Sequence, residues 1–186
     1  MSPQASLVNP TVGNVSDLVN RQLLEATAAT TLPPPLMVEA LTEAFFMHLH
    51  PRMPIVDRAD VEVAAPSIVL IQALCMVGSL IRHPKGSSPL AETELLYAKV
   101  KALLQAGVEK DNLTTLKALC LFSCWNVTPP SVVSLDCAWF WLGATIRFAL
   151  HMGLHQESTV SKYQSPAARR IAWYLFASAK YLPSGR

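Results

Sequence analysis

The chain has 186 residues, the length of one domain, and a domain of this size can bury a substantial hydrophobic core. Hydrophobic residues make up 51% of it and charged residues only 15%, which suits a deeply buried helical domain, a membrane protein or part of something larger. A formal net charge of +2, with no run of five like charges, argues against an electrostatic nucleic-acid surface or a basic arm.

The first predicted elements are a polar leader and the helix that follows it. Residues 1–35 are low in aromatic residues and contain one predicted helix, around residues 16–29, so we interpret them as a loosely held leader. In residues 36–49, Leu36 and Ala40 begin an apolar pattern with helical spacing. This pattern predicts a helix up to about residue 49.

Two prolines end that helix. Pro51 and Pro54 each disfavour helical backbone in the residue before them, so residues 50–60 are predicted to form a loop. Ser67 and Asn112 are predicted to cap two of the later helices. Apolar runs predict five further helices, over residues 67–82, 88–106, 112–125, 137–156 and 165–182. No segment alternates like a strand, so we expect an all-α fold, an irregular bundle of six or seven helices.

The sequence predicts neither a membrane span nor a secretory signal. The longest nearly uncharged run, residues 66–81, has 16 residues, whereas a helix needs about 20 to cross a bilayer. The first residues lack the basic start and apolar core of a signal peptide. We therefore expect residues 66–81 to form a buried helix, and we expect no membrane partner.

The four cysteines are predicted to be buried free thiols in a reducing compartment. Cys75, Cys120, Cys124 and Cys137 lie inside apolar runs, and no Cys-x-x-Cys pair occurs. Cys120 and Cys124 are one helical turn apart, which is poor spacing for a structural zinc site. The cysteine pattern therefore predicts no metal.

A polar row in residues 137–156 is the strongest candidate for a metal or catalytic site. His151 and His155 have the spacing of two ligands on one helix face, but zinc proteases place a glutamate directly after the first histidine, where this chain has Met152. Arg147, one turn earlier, would repel a cation. We therefore interpret the row as a hydrogen-bonding row or a helix–helix contact.

Other catalytic signatures are absent from the sequence. It contains no Gly-x-Ser-x-Gly nucleophile motif and no glycine-rich phosphate loop. We assign no catalytic, cofactor-binding or metal-binding residue and predict that the protein is not an enzyme.

Arg169 and Arg170 open the last predicted helix and are followed by the aromatic Trp173. Such a pair could contact nucleic acid or an acidic partner. Two positive charges at a helix N-terminus oppose the helix dipole, which favours arginines held by acidic groups elsewhere in the fold. We expect internal salt bridges.

Taken in order along the chain, these motifs resemble the fungal-specific transcription factor domain, the regulatory region of fungal binuclear zinc-cluster activators. The resemblance covers residues 36–186, and the cutinase-regulator branch is the most similar in character. It rests on a His-Pro and Pro-Ile entry, a signature helix with a Gly-Leu-His ending, and an Arg-Arg-x-x-Trp element. The residues that carry it are Pro51, Pro54, Trp139, Gly143, Arg147, Gly153, His155, Arg169, Arg170 and Trp173.

The resemblance implies mainly structural roles for these residues. Gly143 and Gly153 are expected to allow close approach of helices, and Arg147 and His155 to form polar contacts. It also implies that residues 36–186 form the N-terminal half of a larger, all-α regulatory domain that acts in the nucleus on RNA polymerase II transcription.

The resemblance has one large departure. The family's DNA-binding module is a cluster of six cysteines that binds two zinc ions, and this chain has no cysteine before Cys75. We therefore expect no bound zinc and only indirect contact with DNA, through a homodimer or a heterodimer with a full-length zinc-cluster regulator. A small-molecule effector and a metabolic or secondary-metabolite gene set are further expectations. The rival hypotheses are a small all-α enzyme, a lipophilic-ligand-binding protein and a membrane-associated helical protein.

Overall fold

The computed structural model describes residues 12–82, 89–125, 134–163 and 165–179. Over these ranges it contains eight α-helices, one short 3-10 helix and no strand, which confirms the predicted all-α fold with one helix more than expected. The helices are α1 Val12–Ala26, α2 Pro35–His48, α3 Ile68–Ile81, α4 Pro89–Gln105, α5 Asn112–Phe122, α6 Ala138–His151, α7 Glu157–Lys162 and α8 Pro166–Ala179; the 3-10 helix is Arg58–Asp60.

Helix α3 is the centre of the core, as its nearly uncharged sequence predicts. Every residue from Val69 to Ser79 is buried, and α3 packs against α2, α4 and α5. Gly78 allows the closest of these contacts, because a Cβ atom there would lie 2.1 Å from the carbonyl oxygen of Leu41 in α2. In the described part of the chain, no helix has both the length and the apolar character that crossing a bilayer requires.

Part of the predicted leader is tied to this core. Leu23 of α1 packs against the core, and the buried Gln72 of α3 donates hydrogen bonds to the carbonyl oxygens of Ala29 (3.1 Å) and Thr31 (2.9 Å). Lys99 of α4 donates a further hydrogen bond to the Thr31 carbonyl at 2.9 Å. A leader boundary at residue 35 stays a prediction, but the turn after α1 is held by two helices.

The starts of α3, α4, α5 and α8 agree with their sequence signals, except that the capping residue of α5 lies one position earlier than predicted. The Ser67 hydroxyl accepts a hydrogen bond from the Leu70 amide (3.4 Å), as predicted for α3. The cap of α5 is Asp111 rather than the predicted Asn112, and its carboxylate accepts from the Thr114 amide at 2.8 Å. A carboxylate also complements the positive end of the helix dipole. Helices α4 and α8 begin at prolines 89 and 166. Residue 88 and residues 180–186 lie outside the described residues.

The predicted helix over residues 137–156 is wrong at its end, because α6 stops at His151. Gly153 adopts a positive φ of 76°, a conformation that glycine reaches without strain and that commonly ends helices. A Cβ atom there would also lie 3.2 Å from the Thr159 side chain, so this glycine does meet a close neighbour. His151 and His155 therefore lie on different elements and do not form one helical row.

Candidate interaction surface

The loop between α2 and α3 is where the last helix is attached to the core. Arg170 of α8 reaches Asp57 in this loop, with its Nη2 atom 2.6 Å from each carboxylate oxygen, and its Nε atom donates to the carbonyl oxygen of Pro54. The prediction that this arginine is held by an internal salt bridge is confirmed. Pro51, the other proline of the entry motif, is exposed in the same loop.

The same loop is held by α2 and α5. The Lys117 ammonium of α5 lies 2.7 Å from both carboxylate oxygens of Asp60, and its side chain is only 5% exposed. Arg58 makes two hydrogen bonds to Glu43 of α2, at 2.8 and 2.9 Å, and its guanidinium lies 4.6 Å from the Phe46 ring centre. Hydrogen bonding to Arg58 lowers the pKa of Glu43. Three helices therefore converge on one proline-rich loop through ion pairs.

The beginning of α6 is held by a polar cluster on α4. The Tyr97 hydroxyl donates to Asp136, Lys101 lies 2.9 Å from the same carboxylate, and the Trp141 indole nitrogen donates to the Tyr97 oxygen at 3.1 Å. Burial, and then the hydrogen bond to Asp136, raise the pKa of Tyr97. Burial alone would raise the pKa of Asp136, but the hydrogen bonds from Tyr97 and Lys101 outweigh it and lower that pKa.

Trp141, not the Trp139 of the sequence motif, anchors α6 to the core. Its ring packs edge-to-face on Phe122 with 4.8 Å between ring centres, and Phe122 stacks in turn on Tyr97 at 4.5 Å. Sequence reasoning missed this role because both tryptophans precede the same apolar run. The role of Asp136 was missed as well, since only the fold brings α4 beside it.

The opposite face of α6 is exposed. Trp139 and Phe140 are 46% and 42% exposed, and Arg147 and His151 are exposed about two and three turns further along. Together with Gly143 they line a concavity of about 580 Å³, and we call these five residues the α6 surface. Ala144 and Phe148 complete the lining of this concavity, and none of the lining residues carries a carboxylate.

Two of the roles expected for the signature residues are not seen among the described residues. A Cβ atom on Gly143 would meet no atom within 4 Å, so Gly143 does not serve a close helix approach among the described residues. Arg147 and His155 make no hydrogen bond or ion pair with any part of the chain that the structure describes. Gly143 and Arg147 lie on the face of α6 that no other described helix covers, whereas His155 lies beyond the end of α6 and lines a different concavity.

A second concavity lies where α6, α7 and α8 meet, and we call it the α6–α8 groove. Its floor is buried and apolar, made by Ala149, Leu154, Val160 and Leu175. Its volume is about 510 Å³. The remaining lining residues are Ile146, Leu150, His155, Glu157, Arg169, Ala172, Trp173, Phe176 and Ala179.

The rim of the α6–α8 groove is charged. Arg169 forms an ion pair with Glu157, which confirms the internal salt bridge predicted for the first arginine of the pair. Both side chains remain more than half exposed, at 56% and 67%. Trp173 and Phe176 pack edge-to-face with ring centres 6.0 Å apart and are 67% and 57% exposed.

Residues 42–182 match the fungal specific transcription factor domain, over three quarters of the chain. The chain belongs to this family. The resemblance seen in its motifs is thereby confirmed.

The relatives of this fungal transcription factor domain are named as regulators. It is 30% identical over 158 residues to the acetamidase regulatory protein of Aspergillus oryzae, covering 79% of this chain and 20% of that protein. With the acetamidase regulatory protein of Aspergillus fumigatus it is 29% identical over 167 residues, 84% and 21% of the two chains. With the cutinase transcription factor 1 alpha of Fusarium vanettenii it is 27% identical over 176 residues, 86% and 19%. The chain thus spans about a fifth of the length of these relatives. No solved structure matches it.

The three thiols on α3 and after or within α5 are too buried to act as nucleophiles. Burial raises the pKa of the Cys75 and Cys124 thiols to about 12, and it raises that of Cys120 further, helped by the neighbouring Cys124. Such thiols stay protonated and are weak nucleophiles. Within the described ranges, no group of three or more His, Cys, Asp or Glu side chains could hold a metal ion.

Proposed function

We propose that this chain is a regulatory domain that acts on RNA polymerase II transcription in the nucleus by binding another protein, and that it catalyses no reaction. Membership in the fungal transcription factor family supports the regulatory role, and the names of the relatives support it further.

The observation that carries the proposal is the α6 surface. Exposed large apolar patches mark interaction sites, and tryptophan and arginine are the residues most enriched among those that dominate binding energy. Here Trp139 and Phe140 stand beside Arg147, whose guanidinium has no partner in the described part of the chain. A guanidinium in this position favours a carboxylate, which it can bind through two parallel hydrogen bonds. The partner surface therefore combines apolar side chains with at least one acidic group.

The partner in this proposal is a second copy of the chain or a full-length zinc-cluster regulator. The 186 residues contain no six-cysteine cluster, so contact with DNA, and the zinc that such contact needs in this family, would be contributed by another protein segment. Relatives named for acetamidase and cutinase support a metabolic gene set as the target, and we extend the proposal to genes of secondary metabolism.

A tethering experiment tests this function. The chain is fused to a heterologous DNA-binding module in a fungal reporter strain, and reporter transcription and co-purifying proteins are measured together. Arg147→Glu and Trp139→Ala are expected to reduce both readouts about tenfold or more, as loss of a dominant interface residue does.

Two exposed residues away from the α6 surface give matched controls. Arg52→Glu reverses an exposed arginine, and Leu36→Ala truncates a side chain that is 81% exposed. Both variants are expected to behave like the parent fusion. A fusion that leaves the reporter unchanged, or controls that fail as badly as the α6 variants, would count against the proposal.

A further inference from the structure

The α6–α8 groove differs from the α6 surface in shape and in charge. It is closed below by buried side chains from three helices, and its volume of about 510 Å³ lies in the range of small-molecule sites, roughly 300 to 1,000 Å³. We propose that the α6–α8 groove binds an amphipathic monocarboxylate, a molecule with an apolar, partly aromatic body and one anionic head. This proposal depends on the proposed function only for the biological role of the ligand, which would be an effector of the regulatory domain.

The apolar body is favoured by the floor and the walls. Ala149 of α6 and Ala172 and Ala179 of α8 line the groove, and their small side chains leave its space open. Trp173 and Phe176 stand at right angles to each other on one wall, which exposes both a ring face and a ring edge. Aromatic rings prefer stacked and edge-to-face contacts, so this wall suits an aromatic group of the ligand.

The anionic head is favoured by the rim. Two of the three ionisable groups that face the groove, His155 and Arg169, are nitrogen bases, and Glu157 is the only acid among its lining residues. His155 has no hydrogen-bonding partner among the described residues, so it is available to donate to a ligand. No other charged side chain lines the groove.

The ion pair on the rim can be exchanged for a ligand at little cost. Arg169 and Glu157 are both mostly exposed, and such surface pairs contribute little because water solvates each partner well. A ligand carboxylate that lies against the apolar wall is screened less by water than Glu157 is, so it competes well for the guanidinium. Glu157 would then turn to solvent, where it needs no partner.

Equilibrium dialysis of the chain against labelled phenylvalerate tests the proposal, with phenylpentanol as the neutral probe and phenylpentylamine as the cationic one. Saturable binding of phenylvalerate, at least tenfold tighter than that of either other probe, is expected. Arg169→Gln should weaken phenylvalerate binding by about tenfold, the effect of losing a hydrogen bond between charged groups. Ala172→Trp, which fills the groove, should abolish binding.

The matched control for Arg169→Gln is Arg58→Gln, because Arg58 is also an exposed arginine in an ion pair and does not line the groove. It should bind phenylvalerate like the parent chain, and thermal melting verifies that each variant is folded. Because Arg169 is mostly exposed, its variant folds even if Ala172→Trp does not. No saturable binding, equal affinity for the three probes, or an Arg169→Gln variant with parental affinity would each overturn the proposal.

The same dialysis separates this proposal from the proposed function. Arg147→Glu, which disables the α6 surface, should bind phenylvalerate normally, whereas Arg169→Gln should retain the partner protein in the tethering experiment. If the parent chain did not bind phenylvalerate but the reporter responded, only the proposed ligand site would be wrong. If the chain bound phenylvalerate but the reporter did not respond, only the proposed regulatory role would be wrong.

Discussion

Helices α3 and α6 have the same length and are both largely apolar, yet they differ sharply in burial. Of the 14 residues of α3, 11 are buried, whereas only Thr145 and Ala149 of the 14 in α6 are. Helix α3 is surrounded by α2, α4 and α5, while α6 packs mainly on α5 and only lightly on α8. The apolar residues of α6 therefore exceed what the described fold needs, which is the physical reason to interpret its open face as an interface.

The two regions also differ in what holds them. The core around α3 is stabilised by apolar burial along a whole helix. Helix α8 buries only one apolar face, with Ile171 and Leu175, beside the Arg170 ion pair, and α6 is held largely by the cluster of Tyr97 and Asp136. Regions with few buried apolar contacts open more easily than a core does. We therefore expect α6–α8 to be locally less stable than α2–α5, and each prediction below tests that difference.

The largest expected effect comes from adding one methyl group to the core. A Cβ atom at position 78 would lie 2.1 Å from the Leu41 carbonyl oxygen, and backbone cannot move aside as a flexible side chain can. Gly78→Ala should therefore lower the free energy of unfolding by about 3 kcal/mol or more. Urea denaturation followed by circular dichroism measures the change.

A glycine-to-alanine substitution in α6 should stabilise the protein instead of destabilising it. Gly143 has no neighbour within 4 Å of its would-be Cβ atom, and alanine is the better helix former. Gly143→Ala should raise the free energy of unfolding by about 0.5 to 1 kcal/mol. If the two variants shifted stability in the same direction, the contrast between the regions would be wrong.

The next effect concerns two lysines that form ion pairs in the two regions. Lys117 is 5% exposed, and truncating it leaves the Asp60 carboxylate half-buried without its partner. Lys117→Ala should cost about 2 to 3 kcal/mol, near the lower end for breaking a buried pair. Lys101→Ala, which removes an exposed partner of Asp136, should cost less than about 1 kcal/mol. Equal losses for the two variants would contradict the difference in burial.

A smaller, local effect is expected at the attachment of α8. Arg170→Ala removes the hydrogen bonds to Asp57 and Pro54, which should lower hydrogen-exchange protection of α8 amides by about 1.5 kcal/mol. Amides of α3 should keep their protection, because that helix does not depend on Arg170. Arg169→Ala, at the exposed pair with Glu157, is the matched control and should leave both helices unchanged. A joint loss in α3 and α8 would show one cooperative unit instead of two regions.

The core was predictable from the sequence to a large extent. The uncharged run of α3 and the Ser67 cap follow from local pattern, and so does the loop that begins after His48, because each depends on residues close together in the chain. Gly78 could not be interpreted in the same way, since its role depends on Leu41 of another helix. The Asp111 cap was missed by one residue because asparagine and aspartate both suit that position.

The site was less predictable because its partners are distant in sequence. Arg169 and Arg170 were expected to form internal salt bridges. No sequence pattern near them predicts that Glu157 and Asp57 are their acidic partners. The end of α6 just before Gly153 was missed because a lone glycine inside an apolar pattern does not always end a helix. Which face of α6 stays open is a property of packing, and periodicity alone does not reveal it.

The smallest effect is a pH dependence that originates in the core alone. Burial raises the pKa of the Cys75 thiol to about 12, whereas an unfolded thiol ionises near pH 8.5. Below pH 8.5 the thiol is protonated in both states, so its burial costs nothing. As the pH rises above that value only the unfolded chain loses the proton, and stability falls with rising pH until the folded pKa is reached. Between pH 7 and pH 9 this single thiol should lower the free energy of unfolding by about 0.8 kcal/mol.

Comparison of Cys75→Ala with the parent chain isolates that contribution. Each chain is unfolded in urea at pH 7 and pH 9, and each change is taken relative to the chain's own value at pH 7, which cancels the cavity that alanine leaves. The variant should lose about 0.8 kcal/mol less than the parent does. Hydrogen exchange at pH 9 should locate the parent's loss in α3 rather than in α6 or α8, because Cys75 lies in the centre of α3. An equal alkaline loss in both chains would mean that ionisation elsewhere, and not the buried thiol, couples this core to pH.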